Sequence, residues 1–307
     1  MTAPRRSSTR FFERAQDMSR QIHPEYLVST EWLEAHISDP DVLVFDCTTR
    51  IVPDAKTIYR TEPVIDRFVE GHIPGAQFID VQKDFSDNTH RYKFMLPPAE
   101  QFAEKAAAFG VADCKKVILY STMDPWWATR VWWLFRVFGF DNVAVLDGGF
   151  DKWARENRAL ETGPARMRAA GRFQPILRSH MVADRAEVLA AIGDGAVCTI
   201  SGRLPSQFVG IDGNSYGRPG SVPGSVNVPA ASLIDPETKT YLPIDALRQR
   251  FAHLPIEGKR VIAYCGHGIA ASADAFVLAM LGYENVAIYD ASLSEWAADD
   301  TLPIAVG

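Results

Sequence analysis

The feature that most restricts how this 307-residue chain can fold is that it repeats itself. Residues 116–121 read KVILYS, and residues 260–265 read RVIAYC. Each is a short apolar run, the pattern of a buried parallel strand. Each leads through a loop into a helical stretch, ATRVWWLFRVFGF at 128–140 and SADAFVLAMLGY at 272–283. Both stretches end in glycine followed by an aromatic residue, Gly139-Phe140 and Gly282-Tyr283, as helix-terminating glycines do. NVAVLDGGFDKW (142–153) then echoes NVAIYDASLSEW (285–296). Upstream, HIPGAQFIDV (72–81) matches SVPGSVNVPA (221–230), and VLVFDCTTR (42–50) matches AVCTISGR (196–203). The matched segments keep their order, and their offset drifts only from about 155 to 143 residues. That is a duplication with small loop differences.

Each half alternates β and α segments, so an α/β fold is expected: two tandem domains, each a parallel central sheet flanked by helices. The reading divides the chain into an N-terminal tail (1–22), a first domain (23–156), a linker (157–180) around Gly163-Pro164, and a second domain (181–307). A helix is expected from about Ala183, where ADRAEVLAAIG has helical spacing. The tail lacks the apolar segment of a secretory signal. No apolar run approaches the roughly 20 residues that span a bilayer, so no membrane partner is expected. A net charge of −6 offers nucleic acid no general attraction, so an anionic ligand needs a local positive site. The four cysteines form no CxxC pair and no zinc-spaced ladder, so neither metal nor disulfide framework is expected. Reduced thiols in a cytoplasmic setting fit best.

Ligands of open α/β sheets collect at the carboxyl ends of strands. Cys265 stands there, directly after VIAY, and GHGIAAS follows before the second helix. Gly266 and Gly268 let the backbone curl so that its N–H groups converge. The helix start at Ile269, Ala270 and Ala271 adds partial positive charge. A cysteine so placed is expected to ionise readily and act as a nucleophile. Cys47, Cys114 and Cys198 lack that frame and read as ordinary thiols. The first copy has Ser121 at the cysteine's place and no glycine after it, so it cannot run thiol chemistry and is expected to wall the cleft.

These residues resemble the tandem rhodanese family, the thiosulfate and 3-mercaptopyruvate sulfurtransferases, over about residues 40–300. The matching pieces are Gly71-His72-Ile73-Pro74-Gly75-Ala76, Arg130-Val-Trp-Trp-Leu-Phe-Arg136, Leu146-Asp147-Gly148-Gly149 and the Cys265 loop. The resemblance implies that Cys265 takes a sulfane sulfur from a small anionic donor as a persulfide. It then passes the sulfur to a thiol or to cyanide, with no cofactor. The departures fall at substrate positions. His267 stands where mercaptopyruvate-using members carry serine, and the partner carboxylate and histidine of that serine fall at Gln82 and Phe94. Thiosulfate-using members carry basic residues in the loop, where this chain offers only His267. Ser201-Gly202-Arg203 replaces Asp-Ser-Arg, and Gln207 stands in place of a second arginine. Arg203, Arg218 or Arg50 are the candidates to bind the donor.

His267 has two readings: a hydrogen-bond or charge donor and proton shuttle, or a solvent-facing loop residue. His72 reads as structural, because its counterpart is Ser221. Trp126 and Trp127 read as pocket walls, Trp132 and Trp133 as core, and Asp290, like Asp147, as closing a turn. Phosphatase or arsenate-reductase chemistry needs an arginine six positions after the cysteine, and Ala271 stands there. The surviving alternative to an enzyme is a persulfide carrier or interaction module, which the missing arginines favour.

Overall fold

A computed structural model describes residues 21–54, 59–212 and 216–307. The strands are β1 (Leu27–Val28), β2 (Val42–Asp46), β3 (Thr49–Pro53), β4 (Tyr59–Pro63), β5 (Gln77–Phe78), β6 (Lys116–Tyr120) and β7 (Val143–Leu146), then β8 (Val182–Ala183), β9 (Val197–Ser201), β10 (Val226–Asn227), β11 (Arg260–Tyr264) and β12 (Val286–Tyr289). The helices of the first half are α1 (Thr30–His36), α2 (Ile65–Glu70), α3 (Val81–Asp84), α4 (Ala99–Ala108), α5 (Trp126–Val137) and α6 (Gly149–Arg155). Those of the second are α7 (Arg185–Ala190), α8 (Pro205–Phe208), α9 (Ile244–Phe251), α10 (Ile269–Met280) and α11 (Ser292–Trp296).

Two parallel five-stranded sheets result, ordered β1-β7-β6-β2-β5 and β8-β12-β11-β9-β10. The orders correspond strand for strand, as a duplication requires. The apolar runs that suggested buried strands are the sheet centres, β6 and β11, whose last four residues are all buried. The copies also end alike: His72 bridges Glu161, and its counterpart Ser221 bridges Ala305. Only the antiparallel hairpin β3–β4 lacks a counterpart among the described residues. Helix α7 begins at Arg185, two residues later than expected, because the Asp184 side chain caps it by accepting from Glu187 N–H at 2.8 Å.

Helices α5 and α10 are buried almost all round, which is why their sequences are apolar on every face. They pack on each other at the domain boundary. Thr129 and Ser272, equivalent positions of the repeat, share a hydrogen bond of 2.9 Å, and Trp132 meets Phe276 edge to face at 5.0 Å. Trp132 and Trp133 are core, as expected. Gly139 and Gly282 end these helices with φ of 88° and 84°. One hydrophobic cluster runs through both domains, and smaller ones cover the outer sheet faces.

Asp147 and Asp290 do more than close turns. Asp147 Oδ1 accepts from Tyr241 N–H of the second domain at 2.8 Å. Asp290 Oδ2 accepts from Leu96 N–H of the first at 2.6 Å. The sequence expectation was local because nothing in a repeat shows how its copies face each other.

Candidate active site

Cys265 leaves the end of β11, and Gly268 is the N-cap of α10. Ser292 holds the turn together: its Oγ accepts from the N–H groups of Cys265 at 3.0 Å and Gly268 at 3.2 Å. Leu293 and Ser294 N–H groups then donate to the carbonyls of Cys265 and Gly266. Among the described residues, the N–H groups of Gly266, His267, Ile269 and Ala270 have no acceptor. They are the donor supply an anionic sulfur needs.

Both loop glycines are required by space. A Cβ on Gly266 would lie 2.1 Å from the Tyr216 hydroxyl. Gly268 has φ +73°, and a Cβ there would lie 2.9 Å from Asp290 Oδ1. Beneath Gly268, Arg130 of α5 donates to Asp290 Oδ1 at 2.6 Å and to the Phe94 carbonyl. Both charged side chains are buried, so a first-domain arginine props the second domain's loop.

Cys265 and His267 are 3% and 9% exposed, so the loop is covered, not solvent-facing. Two tyrosines that the sequence reading missed do the covering. The Tyr59 hydroxyl, from the first-domain hairpin, is 2.7 Å from His267 Nδ1. Tyr216 meets the same imidazole at 4.9 Å between ring centroids. Both phenols sense the charge of Cys265, and burial pushes the pKa of each upward. Burial, aided by the Lys93 ammonium, pulls His267 down to about 3. Both causes favour the neutral imidazole and weigh against the positive-charge reading of His267. Lys93 itself donates to the Tyr59 carbonyl at 3.2 Å.

The arginines separate. Arg203 is buried, donates to the Gly220 carbonyl at 3.0 Å, and lies 5.7 Å from the Tyr216 ring centroid. Burial lowers its pKa, while Tyr216, Tyr264 and Cys265 raise it, which places it beside the site. Arg218 donates to the carbonyls of Trp296, Ala297, Asp299 and Leu302. Its guanidinium pins the C-terminal segment, which weighs against a donor-binding role. Arg50 is exposed on the hairpin, 3.5 Å from Glu62, and among the described residues no hydrogen bond or ion pair joins it to the loop. Gln82 Oε1 accepts from Phe94 N–H at 3.2 Å, so the two positions aligned with the serine's partners hold each other. Trp127 packs on Phe94 within the core and forms no pocket wall. His72 stacks on Phe68 and bonds its carbonyl, a structural role as expected.

The rhodanese-like domain model matches residues 29–156 and again 184–299. The chain belongs to the rhodanese family. It is a sulfurtransferase. Its relatives include a 3-mercaptopyruvate sulfurtransferase of Escherichia coli, 33% identical over 91% of this chain and 97% of that one. Thiosulfate/3-mercaptopyruvate sulfurtransferase 2 of Arabidopsis thaliana is 33% identical, covering 91% and 86%. The sulfur carrier protein TtuD of Thermus thermophilus is 34% identical, covering 93% and 98%. Among solved structures, SseA from Escherichia coli, a 3-mercaptopyruvate sulfurtransferase, superposes with a TM-score of 0.77 at 30% identity, covering 87% of this chain and 98% of that one. Within this rhodanese no described helix is long and apolar enough to cross a membrane.

Proposed function

We propose that this rhodanese moves a sulfane sulfur through a persulfide on Cys265, from a small anionic donor (thiosulfate or 3-mercaptopyruvate) to a thiol or cyanide. In the first half-reaction the Cys265 thiolate attacks the donor's outer sulfur. In the second, the acceptor attacks that sulfur and restores the thiolate. This is covalent catalysis with ping-pong kinetics. The loop Gly266-His267-Gly268-Ile269-Ala270-Ala271 supplies main-chain dipoles to the anionic sulfur, and Arg203 supplies the nearby positive charge. In this reading residues 181–307 are the catalytic domain, and residues 23–156, with Ser121 at the cysteine's place, are the non-catalytic one.

The single observation that carries the reading is the set of loop amides after Cys265, those of Gly266, His267, Ile269 and Ala270, that have no acceptor among the described residues. Cys47 is fully buried and its thiol is pushed well up by burial, so it does not compete. Incubating reduced protein with each donor and weighing it intact tests the reading. Wild type gains the mass of one sulfur atom, located on the Cys265 peptide. Cys265→Ser gains none and loses turnover by at least about 10³-fold, whereas Cys47→Ser keeps both. Sulfur transfer by Cys265→Ser at the wild-type rate sinks the mechanism.

The relative named as a sulfur carrier favours a second reading, in which the loaded protein discharges mainly to a protein thiol. Single loading without steady turnover on small acceptors distinguishes it.

A further inference from the structure

The mechanism above leaves unexplained why a buried, uncharged imidazole stands two residues after the nucleophile and is tied to the other domain. His267 makes one hydrogen bond among the described residues, through Nδ1 to the Tyr59 hydroxyl at 2.7 Å. Tyr59 sits at the start of β4, in the one hairpin the repeat does not duplicate. Its ring meets the imidazole edge to face at 5.0 Å, and Tyr216 flanks the other contact at 4.9 Å. The groups around His267 are thus Tyr59, Tyr216, Cys265 and the Lys93 ammonium, with no carboxylate among its bonded partners. Burial and the Lys93 ammonium oppose an imidazolium there, and of these groups only the Cys265 thiolate would favour one.

We propose that Tyr59 and His267 form a neutral dyad in which the phenol donates to Nδ1, fixes the Nε2–H tautomer, and thereby aims a hydrogen-bond donor at the carbonyl oxygen of a keto-thiol donor. The proposal rests on the persulfide reading of Cys265. A neutral imidazole N–H can stabilise an enolate without surrendering its proton. The step balances without any other reactant. The Cys265 thiolate forms a bond to the donor sulfur, and the sulfur–carbon bond breaks. Its electron pair passes to the carbon and carbonyl oxygen as an enolate, held by Nε2–H. The donor's own thiol proton ends on that carbon, leaving a keto acid and the Cys265 persulfide anion. His267 touches the reacting atoms and is catalytic; Tyr59 acts through it and is a positioning residue. Together they occupy the role that falls vacant where Gln82 accepts from Phe94 N–H and neither residue reaches the loop through a hydrogen bond to His267 among the described residues.

Two measurements on the full chain test this. Nitrogen NMR of the histidines is expected to show His267 neutral at pH 7 with the proton on Nε2, and Tyr59→Phe is expected to give a mixture of tautomers. An imidazolium, or a proton on Nδ1 in wild type, overturns the dyad. Kinetically, Tyr59→Phe is expected to lower kcat with 3-mercaptopyruvate about tenfold, the worth of about one hydrogen bond, with KM moved less than about twofold. The control donor is inorganic polysulfide, which loads Cys265 without releasing an enolate. The ratio of mercaptopyruvate to polysulfide rates is expected to fall by the same factor. An unchanged ratio overturns the proposal while the persulfide reading survives. Absence of any persulfide in wild type with either donor instead removes the reading itself, whatever tautomer His267 shows.

Discussion

Asp274 is the residue whose chemistry its surroundings serve least. It lies on α10, is completely buried, and neither carboxyl oxygen has a partner among the described residues. Burial holds its pKa well above the usual carboxylate range. The folded state therefore keeps a proton that the unfolded chain releases above its own value near 3.8. Stability is fully present below that pH and is lost as pH rises. Asp274→Asn, which removes the ionisation, is expected to stabilise by about 1 kcal/mol at pH 7 in urea titrations, with the gain vanishing below about pH 4. His267 bends the curve the other way. Its folded value near 3 lies below the ordinary 6.5, so stability is present above pH 6.5 and lost as pH falls toward 3. His267→Gln is expected to flatten that acid slope. A slope of zero between pH 6 and 4 in the Asp274→Asn protein, with His267 intact, would contradict it. Cys265 was legible because two glycines follow it closely after an apolar strand, and their backbone freedom marks a tight loop in the sequence. Tyr59 and Tyr216 were not. One is 208 residues from the histidine it bonds, and no periodicity or repeat marks either.

Among the elements, α5 and α10 carry the tightest demands. They were readable from their apolar runs and terminal glycines, because a helix buried all round has no polar face to confuse the pattern. Their mutual packing depends on small side chains where Thr129 meets Ser272. Ser272→Leu is expected to cost about 1–3 kcal/mol by overpacking, read as a lower urea midpoint at unchanged slope. Gly268→Ala meets a harder obstacle. Its Cβ would press on Asp290 Oδ1 at 2.9 Å while the backbone keeps a φ of +73°. The expected outcome is at least a hundredfold loss of turnover, with the fold retained by circular dichroism. The hairpin β3–β4 was invisible beforehand. Its strands TRIVP and YRTEP are short, carry proline at one end, and have no echo in the second copy to flag them.

At the scale of the whole molecule, duplication predicted two like domains, each with a parallel sheet, but neither the strand order nor their mutual orientation. Similarity between copies constrains what lies inside each and leaves the surface between them free. That surface turns out to hold a buried ion pair, Arg130–Asp290, and a core continuous across the boundary. Calorimetry is expected to show one unfolding transition for both domains. Arg130→Ala strands the Asp290 carboxylate and is expected to cost about 3–5 kcal/mol, splitting or broadening that transition. Two independent transitions in the wild type would refute the shared core.

A copy with serine where its sibling has cysteine would be expected to drift freely, yet this one lends a phenol to its sibling's imidazole. The halves have become unlike parts of one tool. Splitting the gene, or fusing two copies of the C-terminal half, would keep Cys265 and its whole loop and still forfeit the finger that steadies the histidine.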